Sequence, residues 1–343
     1  MTDIIHFHPN AKMAKIFVQP LVDEEKKQGY QSKIHITSIK KSGFIFKNFN
    51  LFGLCKLLRI FWEENPQIII SHNSISSPLI LLMGRLFNTK HIIYFNHGVP
   101  FLGYQGFTKL ILYIIEKVNL LLTDEILTVS NNMRFCLKKL TQKKVSIIYN
   151  GSASGINLFE INKIKKRFPK RKKGEFNIGY IGRPNKRKGY NFTIELWKQY
   201  FANKKEYKLF IYGSPKIKES RIKNIFPMGF KNNMYESYSH LDCVILPSLH
   251  EGLSYTAIES CAFYCPVIAN NIPGIQEIIK NKKNGFLINQ PTLEKYASSI
   301  ILTKNIICDN FPNKDLCDDI ARKYDRKKFL KYYSIFLNKK FNN

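Results

Sequence analysis

The first half of the chain alternates short apolar runs with longer amphipathic stretches. The apolar runs are rich in Ile, Val and Phe, which favours β-strands, and the stretches between them repeat apolar residues with the period of a helix. The predicted strands are residues 4–8, 34–39, 68–71, 91–95, 125–129 and 145–148. The predicted helices are residues 13–28, 51–64, 75–87, 107–122 and 131–140. This alternation is typical of a parallel, doubly wound sheet.

The same alternation restarts in the second half. The predicted strands are 176–181, 208–212, 243–246, 266–269 and 286–288, and the predicted helices are 190–201, 255–263, 293–302 and 324–338. Between the halves, residues 150–159 break the pattern with glycines and small polar residues, which indicates a passage between domains. We therefore expect an N-terminal Rossmann-like domain at 1–150, a C-terminal one at 151–320, and a last helix within 321–343 that packs back towards the first domain. The basic run from Lys163 to Lys173 is expected to be solvated surface.

The composition adds a large positive charge to this picture. The formal net charge is +29, and the excess is spread over both halves. It suits nucleic acid, an anionic membrane surface or phosphorylated substrates, and a coding bias towards Lys and Asn would also produce it. No apolar run reaches the length of a transmembrane helix, the N-terminus lacks a signal-peptide pattern, and the seven cysteines form no C-x-x-C pair. We expect a cytoplasmic protein with free thiols.

Candidate chemistry begins at a junction between a strand and a helix. Residues 246–259 read L-P-S-L-H-E-G-L-S-Y-T-A-I-E, with Glu251 in the loop and Glu259 in the helix. Gly252 lets the backbone approach a ligand, and the first turn of the helix offers free N–H groups and the positive end of its dipole. A phosphate on these amides, with hydroxyls bound by the two carboxylates, describes a nucleotide-sugar.

Two cations follow the first strand of the second half. Residues 178–190 read I-G-Y-I-G-R-P-N-K-R-K-G-Y, so that Gly182 ends the strand, Arg183 comes directly after it and Lys188 precedes the next helix. In a doubly wound sheet, ligands bind beyond the carboxyl ends of the strands. The planar guanidinium and the mobile ammonium group together suit a diphosphate.

Four motifs in this order resemble those of the retaining glycosyltransferases of family 4. They are G-R-x-x-x-x-K-G, P-S-x-x-E-G-x-S-x-x-x-x-E, P-V-I-A-x-x-x-P-G-x-x-E and N-G-F-L, and together they lie within residues 145–290. The resemblance implies the GT-B fold, in which two Rossmann-like domains with doubly wound parallel sheets face a central cleft. It also implies an enzyme that moves a hexose or N-acetylhexosamine from a nucleoside-diphosphate sugar, most often a UDP-sugar.

The resemblance also assigns roles to residues. Arg183 and Lys188 would hold the diphosphate as the leaving group, Glu251 would bind donor-sugar hydroxyls, and Glu259 would bind the ribose. The remaining nucleotide-sugar contacts would come from Gly182, from the amides of Gly252, Leu253 and Ser254, and from Met228 and Phe230 beside the base. His97, in Y-F-N-H-G-V-P, matches a histidine that such enzymes carry near the sugar. The catalytic set is thus His97, Arg183, Lys188 and Glu251.

Two cations and a helix terminus can stabilise the charge that develops on the departing phosphate. No D-x-D element suited to a divalent ion follows a strand, so we expect no metal and no other cofactor. The sequence departs from the family at Tyr264, where glycine is usual, and in the first loop, which reads H-P-N-A-K-M without the usual glycines. We expect Tyr264 to alter packing rather than chemistry.

Members of the family often build bacterial surface polysaccharides on a lipid carrier. The expected acceptor is a glycan or a polyprenyl-diphosphate-linked glycan, as in O-antigen, capsule or lipooligosaccharide synthesis. Two stretches suit the inner, anionic face of the plasma membrane: Phe44–Trp62, which carries Lys and Arg among aromatic residues, and the strongly apolar Phe107–Leu122. Both also suit helices that cover a sheet.

Two alternatives are a sugar-nucleotide 2-epimerase of the same fold and a basic protein that binds nucleic acid or membranes without catalysis. No recognised nucleic-acid motif is present, so nucleic acid is not an expected partner.

Overall fold

The structure is a computed structural model that describes residues 2–37, 51–167, 174–213, 222–231, 233–307 and 311–341. The chain forms two compact units, one made of Met1–Gly155 with Arg326–Asn343 and the other of Ile156–Asp325. Both boundaries fall slightly later than the sequence pattern predicts. Parts of three predicted features, at residues 38–39, 44–50 and 168–173, lie outside the described residues.

The first unit contains a six-stranded parallel sheet in the order β2-β1-β3-β4-β5-β6. Its strands are β1 (Ile4–His8), β2 (Ser32–Ile36), β3 (Ile68–Ser71), β4 (His91–Asn96), β5 (Glu125–Thr128) and β6 (Val145–Ser146). Its first helices are α1 (Ala11–Phe17), α2 (Gln19–Lys27), α3 (Leu51–Glu64), α4 (Ser77–Leu86), α5 (Gly106–Leu122) and α6 (Asn131–Lys138), and a short 3-10 helix spans Pro100–Gly103. The single helix predicted at 13–28 is two helices, because Pro20 lies in the first turn of α2, where its missing N–H is not needed.

The second unit contains a parallel sheet of the same size, in the order β12-β11-β10-β7-β8-β9. Its strands are β7 (Phe176–Ile181), β8 (Tyr207–Tyr212), β9 (Ile225–Gly229), β10 (Cys243–Leu246), β11 (Val267–Asn270) and β12 (Gly285–Ile288). Its helices are α7 (Leu158–Arg167), α8 (Tyr190–Tyr200), α9 (Tyr235–Tyr238), α10 (Tyr255–Ala262), α11 (Pro273–Gln276), α12 (Leu293–Ile306) and α13 (Lys314–Lys323), with a 3-10 turn at Lys186–Lys188. The last helix, α14 (Arg326–Phe341), belongs to the first unit, where it packs on α2.

Strand β9 and helices α7, α9, α11 and α13 were not predicted, and β9 and α7 were missed for different reasons. Strand β9 contains Pro227 and is largely exposed, so it does not show the apolar pattern of a buried strand. It lies at the edge of the sheet, where a proline and exposed residues are both tolerated. Helix α7 includes the start of the basic run that was expected to be solvated surface. That prediction was incomplete, because Ile161 and Ile164 are buried on one side of the helix while its lysines cover the other.

Tyr264 follows α10 with a φ of 54°, a conformation that glycine adopts readily and other residues rarely do. Its hydroxyl donates to Asp318 of α13 at 2.8 Å, and the Lys165 ammonium of α7 lies 3.5 Å from the centre of its ring. The side chain therefore ties two helices to the end of α10, at a position where glycine would contact neither.

Each sheet reverses its strand order at one place, and the carboxyl ends of the strands at that place form a crevice where ligands of doubly wound folds bind. The reversal lies between β1 and β3 in the first unit and between β7 and β10 in the second. Among the described residues, no helix is long and apolar enough to cross a membrane.

Candidate active site

In the second unit, two loops meet at the reversal point of the sheet. Gly189 lies in the left-handed region, with a φ of +68°, and a Cβ atom there would lie 2.3 Å from the carbonyl oxygen of Pro247. The Leu249 amide donates to the carbonyl of Arg187 at 2.8 Å. Glycine is thus required for the close approach that joins the loop after β7 to the loop after β10.

This approach brings Lys188 and Glu251 together. The Lys188 Nζ donates to Glu251 Oε1 at 2.6 Å, and the Glu251 side chain is nearly buried while that of Lys188 is partly exposed. Burial alone would raise the pKa of Glu251, but the charge and hydrogen bond of Lys188 outweigh it and lower the pKa. The carboxylate is therefore ionised at neutral pH, and the ammonium group beside it is fixed.

The other predicted cation, Arg183, is exposed, and its backbone is held in place. Its carbonyl accepts a hydrogen bond from the buried Tyr180 hydroxyl at 3.0 Å. The preceding Gly182 lies so close to the next loop that a Cβ at Gly213 would stand 2.6 Å from the Gly182 oxygen. The strand end that carries Arg183 is therefore closely packed, while the side chain itself is exposed.

One amide of the junction is already hydrogen-bonded within the protein. The Ser254 hydroxyl caps α10 by accepting from the Ala257 amide, and the Ser254 amide donates to the carbonyl of Gly274 at 3.2 Å. Gly274 packs against the Glu251 backbone, since a Cβ there would lie 2.2 Å from the Glu251 oxygen. Ser254 thus joins this loop to Gly274, and the neighbouring Gly252 and Leu253 are buried; their contacts with a nucleotide-sugar stay a prediction.

The remaining predicted nucleotide contacts lie on other elements of the same unit. Glu259, on α10, accepts a hydrogen bond from the buried Tyr238 hydroxyl at 2.9 Å, which fixes the orientation of its carboxylate. Met228 lies in β9 and Phe230 directly after it, and both are partly exposed. Strand β9 is separated from β7 by β8, so these two residues lie further along the carboxyl edge than Lys188 and Glu251.

The sequence analysis missed His250, which directly precedes Glu251. It is buried, and among the described residues its Nε2 has no hydrogen-bond partner. Burial, with a further contribution from Arg187, lowers the pKa of His250 to about 4, so the ring is neutral at neutral pH. Its position next to the quoted glutamate was the only available signal.

In the first unit, His97 lies just after β4 and joins a row of histidines. His97 Nε2 lies 2.9 Å from Nδ1 of His72, and His72 Nε2 lies 2.8 Å from Nδ1 of His6. The far nitrogen of His6 lies 2.9 Å from the Glu25 carboxylate. The other three members of this row, His72, His6 and Glu25, were not predicted. They are far apart in the sequence and carry no shared motif.

A second buried carboxylate, Glu116 of α5, lies in a different environment. It accepts from the Asn96 amide at 2.9 Å and from the Tyr94 hydroxyl at 3.1 Å. Burial raises the pKa of Glu116 to about 7, and the hydrogen bonds reduce this shift without cancelling it. The Ser74 hydroxyl also bonds that of Tyr94, so Ser74 is part of this network.

Within the described part of the chain, no group of three or more His, Cys, Asp or Glu residues has an arrangement that could hold a metal ion. The second unit presents an ionised carboxylate, a paired ammonium group and an exposed guanidinium at the end of its sheet. This set can bind hydroxyls and stabilise developing negative charge.

Comparison with known proteins agrees with this arrangement. The family model described as glycosyl transferases group 1 matches residues 162–306, and the one described as glycosyltransferase family 4 matches residues 19–152. Together the two matches cover most of both units. Among curated proteins, the chain is 24% identical to the Staphylococcus aureus capsular polysaccharide biosynthesis glycosyltransferase CapM, over 81% of this chain and 77% of that protein. It is also 24% identical to an Escherichia coli UDP-Gal:α-D-GlcNAc-diphosphoundecaprenol α-1,3-galactosyltransferase, over 84% and 80%.

Solved structures support the fold. A sucrose-phosphate synthase from Thermosynechococcus elongatus matches all of both chains with a TM-score of 0.76 at 15% identity. Anabaena HepE in complex with UDP and glucose matches 98% of this chain and 100% of that one, with a TM-score of 0.70 at 12% identity. These structures confirm the expected fold class, and the family models and curated relatives confirm the enzyme class. The chain belongs to the group 1 glycosyl transferases and is a glycosyltransferase with the GT-B fold.

Proposed function

We propose that this glycosyltransferase moves a hexose or N-acetylhexosamine from a UDP-sugar to a glycan or polyprenyl-diphosphate-linked acceptor, with retention of configuration and without a metal ion. The product would enter a bacterial surface polysaccharide such as O-antigen, capsule or lipooligosaccharide. The observation that carries the proposal is the Lys188–Glu251 pair, fixed at 2.6 Å at the reversal point of the second sheet. The carboxylate suits sugar hydroxyls, and the ammonium suits the charge of a departing diphosphate.

The relatives support the donor and the acceptor class. The E. coli relative is named as using UDP-Gal and a diphosphoundecaprenol acceptor, and the S. aureus relative as acting in capsule synthesis. HepE binds UDP and glucose. These names describe other proteins, and they make a UDP-sugar and a lipid-linked glycan the first substrates to test here.

The proposed place of action is the cytoplasmic face of the membrane. Along α5, Phe107, Leu110 and Ile114 are more than half exposed and spaced so that they share one side of the helix. Lys109 is exposed on the same helix. An apolar helix side with a nearby cation can lie in an anionic headgroup layer, where each Lys or Arg contributes about 1 kcal/mol.

The nucleotide site is tested by thermal unfolding with millimolar UDP, GDP, ADP and dTDP. A ligand at about one hundred times its dissociation constant should stabilise the protein by about 2.7 kcal/mol. We expect UDP to raise the melting temperature of the wild type, and Glu259→Ala to lose that increase while Glu294→Ala, an exposed residue of the same unit, keeps it. No increase with any diphosphate would contradict the nucleotide-sugar proposal.

The reaction is tested with UDP-glucose, UDP-galactose and UDP-N-acetylglucosamine and a short polyprenyl-diphosphate-N-acetylglucosamine, with and without EDTA. We expect a product whose anomeric configuration, measured by NMR, matches that of the donor, at a rate that EDTA leaves unchanged. An inverted product would contradict retention, and loss of turnover in EDTA would contradict metal independence. Conversion of the donor without an acceptor would instead identify an epimerase.

Membrane association is tested by co-sedimentation with vesicles of phosphatidylglycerol and phosphatidylcholine. We expect binding at low salt that the pair Phe107→Ser and Leu110→Ser weakens, whereas Leu302→Ser, a partly exposed residue of the second unit, leaves it unchanged. Absence of binding at low salt would contradict this part of the proposal. RNA binding that competes with UDP would show that nucleic acid is a partner after all.

A further inference from the structure

The turn that follows β4 is held from inside the first unit by two buried side chains. Asn96, the last residue of β4, accepts a hydrogen bond through Oδ1 from the Gly98 amide at 2.9 Å. Through Nδ2 it donates to Glu116 Oε1, on α5, at 2.9 Å. The bond to Gly98 closes a turn around His97, which lies between the two residues in the chain. Helix α5 is thus connected to this turn through one amide side chain.

The support is buried, whereas the turn is open to solvent. Glu116 has no exposed surface and Asn96 is 1% exposed, while His97 and Gly98 are both partly exposed. The hydrogen-bond partners that the structure gives Glu116 are neutral, and burial raises its pKa to about 7. A buried carboxyl group without a cation is unfavourable for stability. Its presence directly behind a turn at the reversal point of the sheet indicates a role beyond packing.

The backbone decides how the Asn96 amide is oriented. The Gly98 N–H can only donate, so the Asn96 atom that faces it is the oxygen. The Nδ2 group, which only donates, then faces Glu116 and also the Tyr94 hydroxyl, at 3.0 Å. Protonation of Glu116 does not reverse this arrangement, because a protonated carboxyl group keeps an oxygen that accepts. The orientation of the amide is therefore the same in both charge states of Glu116.

Of the two groups that face Asn96 Nδ2, only Glu116 selects this orientation. The Tyr94 hydroxyl both donates and accepts, so it can bond either end of the Asn96 amide. With an apolar residue in place of Glu116, the amide could reverse without losing Tyr94. A reversed amide would place Nδ2 against the Gly98 N–H, two donors would face each other, and the turn would lose the hydrogen bond that closes it.

The turn carries a ring without charge. Burial lowers the pKa of His97 to about 3, with a further contribution from His8, and it lowers the pKa of the adjacent His72 well below its usual value. Both rings are therefore neutral at neutral pH. A neutral ring interacts through hydrogen bonds, which weaken steeply with poor angles, so its effect depends on a fixed backbone.

We propose that Glu116 is a positioning residue, which orients the Asn96 amide so that it closes the turn around His97 and fixes the place of that ring at the crevice of the first unit. Glu116 and Asn96 are both buried, so they act through the turn and not by contact with a substrate. The effect on turnover rests on the proposed function, whereas the effect on the turn rests on the hydrogen bonds alone.

The turn is measured without substrate, by hydrogen exchange of the Gly98 amide in NMR spectra of 15N-glycine-labelled protein, with Gly98→Ala to assign the signal. Glu116→Leu should speed this exchange roughly fivefold, which corresponds to one hydrogen bond of about 1 kcal/mol. Glu116→Gln, whose carbonyl still accepts from Asn96, should leave it unchanged. Asn119→Leu is the matched control, because it removes a buried donor of the same helix that bonds the Ser74 carbonyl and not the turn.

A second variant keeps the test decisive if Glu116→Leu fails to fold. In the exchanged pair, Asn96→Asp with Glu116→Gln, the new amide donates to the new carboxylate, whose other oxygen still accepts from Gly98. We expect Gly98 to exchange as in the wild type. Unchanged exchange in a folded Glu116→Leu, or a loss of folding or of Gly98 protection in the exchanged pair, overturns the proposal.

The consequence for turnover is measured in the transfer assay. Glu116→Leu should lower kcat roughly fivefold, as expected for one hydrogen bond, and leave the affinity for UDP unchanged, because the proposed nucleotide site lies in the second unit. Glu116→Gln and the exchanged pair should recover kcat.

Combination with His97→Ala separates positioning from a general loss of stability. If Glu116 acts through the His97 ring, Glu116→Leu should cause no further loss of kcat in the His97→Ala protein. Additive losses would overturn the positioning role. A wild type that transfers no sugar would instead count against the proposed function, since the exchange of Gly98 is measured without substrate.

Discussion

The reversal points of the two sheets have the same topology and contrasting chemistry. In the first unit the place is occupied by a row of histidine rings that ends on Glu25, and in the second by Lys188 against Glu251. Both glutamates are buried, and both have a lowered pKa although burial alone would raise it. Glu25 is surrounded by groups that donate to it inside the protein, whereas the partner of Glu251 is a partly exposed ammonium group.

The comparison shows that the backbone topology determines where the crevice lies, whereas the side chains determine its chemistry. Parallel strands in this order produce a crevice at one place, whatever the sequence. An ion pair there provides charge, which suits phosphate and changes little with small rotations. A row of rings provides a direction for hydrogen bonds, which suits a hydroxyl. Three substitutions test this contrast.

The largest expected effect is that of Lys188→Gln. The amide can still donate to Glu251, so the fold should persist, but the positive charge is lost where negative charge develops in the transition state. We expect kcat to fall by about 10²–10³ with a much smaller change in donor affinity. Steady-state kinetics measure kcat and UDP titration measures donor affinity. Lys186→Gln, in the same 3-10 turn, is the control. A raised KM with an unchanged kcat would mean that the ammonium only binds the donor.

The second largest effect is on stability, at the junction of the loops after β7 and β10 that holds Lys188 and Glu251 together. Gly189→Ala would place a Cβ 2.3 Å from the Pro247 oxygen at a φ of +68°, whereas Gly229 has a φ of +69° and nothing within 4 Å of the added atom. Gly229→Ala should cost about 1 kcal/mol of unfolding free energy for backbone strain alone, and Gly189→Ala about 1–3 kcal/mol more for the clash. Denaturant titration of both variants measures the difference. Equal losses would mean that the loop moves away from Pro247 freely.

The smallest expected effect is on the pH dependence of stability and concerns Glu116, a buried carboxylate of the first unit whose partners are the neutral groups of Tyr94 and Asn96. Its folded pKa of about 7 lies above the value of 4.5 expected when unfolded, so the folded state holds the extra proton between these values. This contribution to stability is complete below about pH 4.5 and is lost as the pH rises towards 7, by up to about 1.4 kcal/mol per pH unit.

Glu116→Gln should remove that slope. The neighbouring His97 and His72 act in the opposite direction, because their lowered pKa values make acid destabilising, so the measured quantity is the difference between wild type and variant in unfolding free energy from pH 5 to pH 7. A difference that stays constant with pH would show that Glu116 is ionised in the folded protein.

The sequence predicted every described strand except β9 to within a few residues, because those strands are rich in β-branched and aromatic residues. It also predicted that Lys188 and Glu251 would follow neighbouring strands, since a local motif marks each. Glu25 and Tyr333 could not be found in this way. They are separated by 308 positions, and their contact depends on how α14 packs on α2, which no local pattern encodes.

Helix α14 also fixes the order in which the protein can be completed on the ribosome. The second unit is one continuous segment, whereas the first needs residues from both ends of the chain. At translation rates of about 5–20 residues per second, residues 1–155 wait on the order of ten seconds or more for the helix that completes their unit. During that interval Glu25 lacks Tyr333, so the domain that is synthesised first is the one that finishes last.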